Sequence, residues 1–274
     1  MGTQSGGFGV CTWIFGNRPL PDIASRVAAL GYSGVELSGE LDALMASEVQ
    51  QILADSGLRV MSLTPTNVDL AHPSAFVRRE ALDYYFHLLE FAAAVGAPLI
   101  SCHGAVGRIR ALSSQQQEWS YLVEGVRQVG RRAEGMGLRV GLEHLNRYES
   151  HLLNKTAEGL RFVAEVGLAN VGLHLDAYHM NIEEPDPAGA LRAAGERLFL
   201  FHVADSNREG VGRGHTDFSA LVGALAQAGY GGPIIMECTA PGPDPFRAIK
   251  DESSLLWVEE YLRESLEVLR RLTD

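Results

Sequence analysis

The sequence predicts an α/β fold, a closed (β/α)8 barrel built as one domain over residues 1–274, and three observations predict it. Short apolar runs rich in β-branched residues alternate with longer amphipathic runs along the whole chain. Eight such units can be counted, the number that closes a parallel barrel. No linker, low-complexity tract or shift of composition separates them, and barrels of about 250 residues fold as one unit.

The strand candidates, in order, are Phe8–Phe15, Gly34–Leu37, Arg59–Leu63, Leu99–His103, Arg139–Glu143, Val171–Asp176, Leu198–His202 and Ile234–Glu237. Gly137-Leu138, Gly172 and Gly232-Pro233 mark sharp turns of the backbone at the sheet. Helical runs, among them Ala75–Val95, Gln115–Met136, Ala157–Val166 and Phe218–Ala228, fill the intervals, which are too long for hairpins. Three helices stop at small, Gly-rich segments ending in Gly31-Tyr32, Gly135-Met136-Gly137 and Gly229-Tyr230, where glycine can take the left-handed cap. Residues Glu252–Leu272 make an amphipathic last helix. Its apolar stripe, Leu255, Leu256, Val258, Tyr261, Leu262, Leu266 and Leu269, is expected to pack on the barrel; a wider stripe would serve a homo-oligomer, dimer or tetramer. The alternative, an open doubly wound sheet, calls for a GxGxxG turn after the first strand, and Trp13-Ile14-Phe15-Gly16-Asn17-Arg18 is not one.

Composition narrows the function. With 46% hydrophobic and 21% charged residues, disorder and fibrous architectures are excluded. Lys plus Arg 23 against Asp plus Glu 34 gives a net charge of −11, which repels nucleic acid and anionic membrane and favours a small neutral substrate. Cys11, Cys102 and Cys238 lie far apart without CxxC spacing, so neither a disulfide framework nor a thiolate zinc site is signalled. A cytoplasmic protein is expected. The first residues lack a basic export region, and no run approaches the roughly 18 apolar residues of a membrane span.

In such a barrel, side chains at the C-terminal ends of the strands project into one mouth. Four otherwise apolar strands end in Glu143, Asp176, His202 and Glu237. Any one of these could be an N-cap or a solvated loop residue. Together, three carboxylates and one imidazole make an oxygen-rich set suited to one divalent ion, Mn2+ above all, or Co2+ or Mg2+. Without a cation, three carboxylates crowded together would repel one another.

Further polar residues follow these ends: Asn146, Arg147, Glu149, His179, Asn181, Asp205, Asn207 and Arg208. Glu143–Asn154 (EHLNRYESHLLN), Leu175–Glu184 (LDAYHMNIEE), His202–Phe218 (HVADSNREGVGRGHTDF) and Ile234–Cys238 (IIMEC) resemble the D-tagatose 3-epimerase family of ketose 3-epimerases, within the xylose-isomerase-like TIM barrels. The resemblance implies an isomerase with Glu143, Asp176, His202 and Glu237 as metal ligands and Glu149, His179 and Arg208 on the O1–O3 end of a sugar. His144 stands where that family usually has Pro or Val, and Ser101–Arg110 and Cys238–Ser254 depart from its pattern. Preference among the remaining sugar carbons is therefore expected to differ from the family's usual one.

The chemistry follows from acidity. A carboxylate cannot remove a proton beside a ketone unless the developing cis-enediolate is neutralised, which a metal chelated by O2 and O3 does as a Lewis acid. Glu143 and Glu237, on opposite walls, can then take and return the C3 proton. An inosose isomerase or dehydratase, or a lyase of keto-sugar C-glycosides, would use the same abstraction. A phosphodiesterase of the apurinic endonuclease type would need a His ending strand three, where the chain has Leu63-Thr64-Pro65.

Other residues have structural readings beside functional ones. His72 and His87 are expected to be structural or solvated, and His151 a capping or packing residue. His174, two residues before Asp176, shares its strand face and either orients the site or packs. His103 ends strand four and is a candidate substrate contact or a core histidine. Trp13 and Phe15 either wall the sugar pocket or fill the barrel. Glu36 is expected to anchor the barrel mouth, with support of a site residue as the alternative. Asp217 is expected to cap the helix at Phe218, the nearby glycines serving backbone geometry rather than phosphate.

Overall fold

The computed structural model of the protein describes residues 6–41, 45–244, 246–247 and 249–273. Eight parallel strands pair in chain order and β8 returns to β1, closing the barrel. They are β1 (Phe8–Cys11), β2 (Gly34–Ser38), β3 (Arg59–Thr64), β4 (Leu99–Cys102), β5 (Arg139–Glu143), β6 (Val171–Asp176), β7 (Leu198–Val203) and β8 (Ile234–Met236). Around them run α1 (Leu20–Ala29), α2 (Ala46–Asp55), α3 (Ala75–Val95), α4 (Gln115–Glu134), α5 (Thr156–Val166), α6 (Ala177–Glu183), α7 (Pro187–Ala194), α8 (Phe218–Gln227) and α9 (Ser254–Thr273). Strand residues are almost wholly buried because helices cover the sheet's outer face and side chains fill its inner one. Gly172 is required by this packing: a Cβ there would lie 2.5 Å from the carbonyl oxygen of Arg197. Gly31, Gly137 and Gly229 end their helical segments at φ 90°, 71° and 69°, the left-handed conformation expected of them.

Two expectations need correction. The run Phe8–Phe15 is a strand only to Cys11; Thr12–Phe15 form a 3-10 helix. β1 pairs Gly9–Cys11 with β2 and Phe8–Val10 with the short β8, which ends opposite Val10; β2 runs on to Ser38, but Ser38 N–H donates to the Thr12 side chain at 3.0 Å instead of to a strand carbonyl. The run stays apolar because Ile14 and Phe15 are still fully buried, and a short apolar run does not distinguish buried strand from buried helix. Phe15 is thus barrel core. Second, Leu256 does not belong to the packing stripe of α9, being 67% exposed. The buried face is Val258, Tyr261, Leu262, Ser265, Leu266 and Leu269, and Leu256 stands two residues, about 200° of rotation, from Val258.

Register places the site. Across β5, β6 and β7, Glu143 lies beside His174 and Asp176 beside His202, so the polar strand ends come level at the mouth. Cys11, Cys102 and Cys238 are buried and free. Among the described residues, no helix is long and apolar enough to cross a membrane.

Candidate metal and substrate site

Glu143, Asp176 and His202 reach the mouth from the ends of β5, β6 and β7, and Glu237 follows β8 directly. Each offers one ligand atom, and the four atoms lie within 4.8 Å of one another in a buried cluster. Asp176 Oδ2 and His202 Nδ1 have no hydrogen-bond partner although both are buried. Leaving a buried polar atom unpaired costs about 1–3 kcal/mol. Two such atoms in a nest of three carboxylates and one imidazole fit a hard or borderline divalent cation.

Electrostatics divides the carboxylates. Burial, then the charge of Glu237, pushes Glu143 well above the ordinary carboxylate range. The same two causes push Asp176 up to about 7. Glu237 is also raised by burial, but Arg208 and His202 outweigh that and hold it well below the usual range. Its two oxygens are pinned, Oε1 accepting from Trp13 Nε1 at 3.0 Å and Oε2 from Arg208 Nη2 at 3.0 Å. Trp13 therefore belongs to the wall of the site.

Behind the cluster, Glu36 is fully buried and lies 3.1 Å from His202 Nε2. It supports a site residue rather than only anchoring the mouth, the less expected of its two readings. His174 places its ring edge-on to His202 with centroids 3.9 Å apart, its Nδ1 2.7 Å from Ser101 Oγ and 3.7 Å from Glu143 Oε2. It packs against two of the four residues at once.

The substrate-side candidates gather on the same mouth. Asn146, fully buried, donates from its backbone N–H at 3.2 Å and from Nδ2 at 2.8 Å to His179 Nδ1, which leaves the ring proton on Nε2. Nε2 lies 3.9 Å from Asp176 Oδ2. Asn146 Nδ2 also donates to Glu149 Oε1 at 2.8 Å. Burial raises Glu149, Arg208 and Asn146 opposing it. Arg208 stands at φ 62°, a conformation rare for a residue with a side chain, in a loop whose hub is Asp205. Asp205 accepts backbone N–H from Ser206, Gly212 and Thr216 at 2.7, 2.8 and 3.0 Å. The Arg208 guanidinium sits 4.7 Å above the Tyr178 ring, and its buried Nη1 has no partner. His103 lies just past β4, buried, its Nδ1 2.5 Å from Gly104 O.

The remaining histidines follow their structural readings: His87 is exposed on α3, and His72 accepts from Ser74 N–H. His151 packs between Arg108 and Glu118. Asp217 caps α8 by accepting from Ala220 N–H at 2.9 Å. Sequence reasoning passed over Asn146 as one polar residue among several, and gave no weight to Ser62, Ser101 or Glu118. Ser62 and Ser101 had a signal, being polar residues inside apolar strands.

A buried carboxylate–imidazole cluster at the C-terminal mouth of a (β/α)8 barrel is the site of a barrel enzyme. The chain belongs to the family described as xylose isomerase-like TIM barrel, whose model matches residues 24–272. It is 32% identical over 223 residues to a D-psicose 3-epimerase of Ruminiclostridium cellulolyticum, covering 77% of this chain and 75% of the relative. It is 31% identical over 243 residues to a 3-dehydro-D-guloside 4-epimerase of Escherichia coli, covering 85% and 91%. The crystal structure of a D-psicose 3-epimerase with D-tagatose from Clostridium cellulolyticum superposes with a TM-score of 0.89 at 26% identity, covering 98% of this chain and 99% of that one. The protein is an epimerase-type isomerase.

Proposed function

We propose that this enzyme is a divalent-metal-dependent ketose 3-epimerase acting on a free ketose. The observation that carries the reading is the placing of two glutamates, Glu143 and Glu237, within one buried four-residue ligand cluster. Glu143, Asp176, His202 and Glu237 would hold the ion, Mn2+ with Co2+ or Mg2+ as substitutes, and when bound it would draw electron density from the substrate's oxygens and acidify the C–H beside the ketone. One glutamate takes the C3 proton and the other returns a proton from the opposite face, which inverts that carbon. Arg208 supplies a fixed positive charge 3.0 Å from Glu237 Oε2, and its unpartnered Nη1 is a donor for a substrate oxygen. His179 offers Nε2–H, Glu149 its second carboxylate oxygen and His103 its ring to the hydroxyls of the O1–O3 end. The relatives named as 3-epimerases support the activity; one barrel domain over residues 1–274, a cytoplasmic location and a dimer or tetramer as the assembly complete the proposal.

One observation favours a second reading, a keto-sugar carrying a substituent. A cavity of about 940 Å³ opens behind Trp13, lined also by Leu37, Phe91, Phe246, Arg247 and Ile249. It is lined by none of the four clustered residues, and Trp13 stands between the two. An extension of the substrate past Trp13 would fill it, and the relative from Escherichia coli acts, by its name, on a guloside. The test is a screen of Mn2+-loaded protein in D2O against D-psicose, D-tagatose, D-fructose and 3-keto-glycosides, read by NMR. Deuterium at C3 of a ketose with inversion is the expected result. Turnover of keto-glycosides alone would transfer the assignment to the second reading, and incorporation into none would overturn both.

A further inference from the structure

Three loops of the mouth meet on one guanidinium. Arg108, in the loop after β4, donates from Nη2 to Asp69 Oδ1 at 3.1 Å and holds Nε 3.0 Å from Asp69 Oδ2, in the loop after β3. Its Nη1 pairs with Glu118 in the first turn of α4. Glu118 is fully buried and also accepts from the backbone N–H of Leu112 and Ser113 at 2.6 and 2.7 Å. His151, in the loop after β5, faces Glu118 with Nε2 at 2.8 Å and the carbonyl oxygen of Arg108 with Nδ1 at 2.8 Å.

The main chain joins the same two loops. Gly107 N–H donates to Glu149 O at 2.7 Å, His151 N–H donates to Arg108 O at 3.2 Å, and Arg108 forms a β-bridge with Ser150. Glu149–His151 are thus strapped along Gly107–Arg108, and the strap is set by buried charge. An isolated strap of two or three hydrogen bonds would be marginal in water, where each merely replaces a bond to solvent. Removing one partner of a buried ion pair leaves the other charge uncompensated, so the Arg108 side chain and the loop that carries it are held to the buried Glu118.

We propose that Arg108, clamped between Asp69 and Glu118, is a positioning residue for Glu149: it sets where that carboxylate enters the site without itself meeting the substrate. The inference rests on the reading above that Glu149 contacts the sugar. A carboxylate displaced by about 1 Å can cost about 100-fold in rate, so loosening the strap is expected to show in catalysis.

A double-mutant cycle of Arg108→Met and Glu149→Gln tests it, with kcat/KM measured on D-psicose in Mn2+-loaded protein and bound metal counted in each variant. Arg108→Met is expected to lower kcat/KM roughly 10-fold or more, chiefly through KM, with metal content unchanged, and to cost less than about 2-fold when residue 149 is already Gln. Independent, multiplying losses would show that Arg108 acts only on the fold and would overturn the inference. Glu149→Gln without effect would sink the substrate role of Glu149 and the inference with it, whereas a damaging Glu149→Gln in an additive cycle sinks the inference alone. If Arg108→Met does not fold, Asp69→Asn, which removes one arm of the clamp, takes its place in the cycle. Amide exchange needs no substrate: Arg108→Met is expected to quicken exchange at Glu149–His151 while β5 to β7 keep theirs, and unchanged exchange at the strap would also refute the clamp.

Discussion

Both carboxylate oxygens of Glu36 face Nε2 of His202, at 3.1 and 3.2 Å. Glu36 also accepts from Ser62 Oγ at 2.6 Å and Cys11 Sγ at 3.1 Å, so its position is fixed from three strands. Because Nε2–H is committed to Glu36, Nδ1 is the nitrogen turned to the cluster, where it has no hydrogen-bond partner. The glutamate thereby orients a candidate ligand and raises its basicity.

The first prediction follows from that pair. Glu36→Gln keeps the size of the side chain but removes its charge, and is expected to weaken Mn2+ binding about 10- to 100-fold. Competition with a chelator measures the affinity directly, without reference to turnover. Wild-type affinity in the variant would show that Glu36 merely fills space.

A second prediction separates proton transfer from binding. Glu143→Gln and Glu237→Gln are each expected to remove most turnover while circular dichroism stays native, because a carboxamide can still coordinate weakly but cannot carry the proton. Elemental analysis is expected to give about one divalent ion per wild-type chain, with activity lost to a chelator and restored by Mn2+ or Co2+. Near-normal turnover in either Gln variant would exclude the scheme with two glutamates.

How far these features were legible in the sequence depends on how local their causes are. The barrel was readable because apolar period and Gly stops repeat in every unit, and Glu143, Asp176, His202 and Glu237 were readable because each interrupts an apolar strand at its end. The end of β1 was not, since β8 stops at Met236 opposite Val10 while β2 runs on, and the residues Trp13–Phe15 do not record where a neighbouring strand stops. The Trp13–Glu237 bond joins residues 224 apart, and the Arg108–Glu118–His151 cluster draws on two loops and α4. Their partners are chosen by closure of the barrel, and no spacing along the chain announces them.

The third prediction concerns Asn146, which holds Glu149 and His179 at once. Asn146→Ala removes the side-chain donor that holds Nδ1 of His179 as an acceptor and frees Glu149 Oε1. With about 1–3 kcal/mol at stake in the hydrogen bonds to the Glu149 carboxylate and the buried His179 ring, kcat/KM is expected to fall about 10- to 100-fold with metal affinity unchanged. Equal losses in metal binding and catalysis would place Asn146 in the frame of the cluster instead of on the substrate side.

The fourth prediction is a pH dependence of stability away from the metal cluster. Burial raises the Glu118 carboxyl, but Arg108 and the N–H groups of Ser113 and Leu112 outweigh it and hold it at about 2, below the ordinary 4.5. A carboxylate lowered on folding stabilises the protein fully above its unfolded value, and that contribution disappears as pH falls from about 5 towards 2. For a shift of this size it amounts to about 3 kcal/mol. Glu118→Gln cannot titrate, so the stability gap between wild type and variant is expected to be widest above pH 5 and to shrink steadily below it. Urea unfolding in chelator at a series of pH values measures that gap with the metal excluded from both proteins. A gap that stays constant from pH 6 to pH 2 would mean that Glu118 is held by its neighbours no more tightly than an ordinary surface carboxylate, and would remove the energetic ground for the clamp on Arg108.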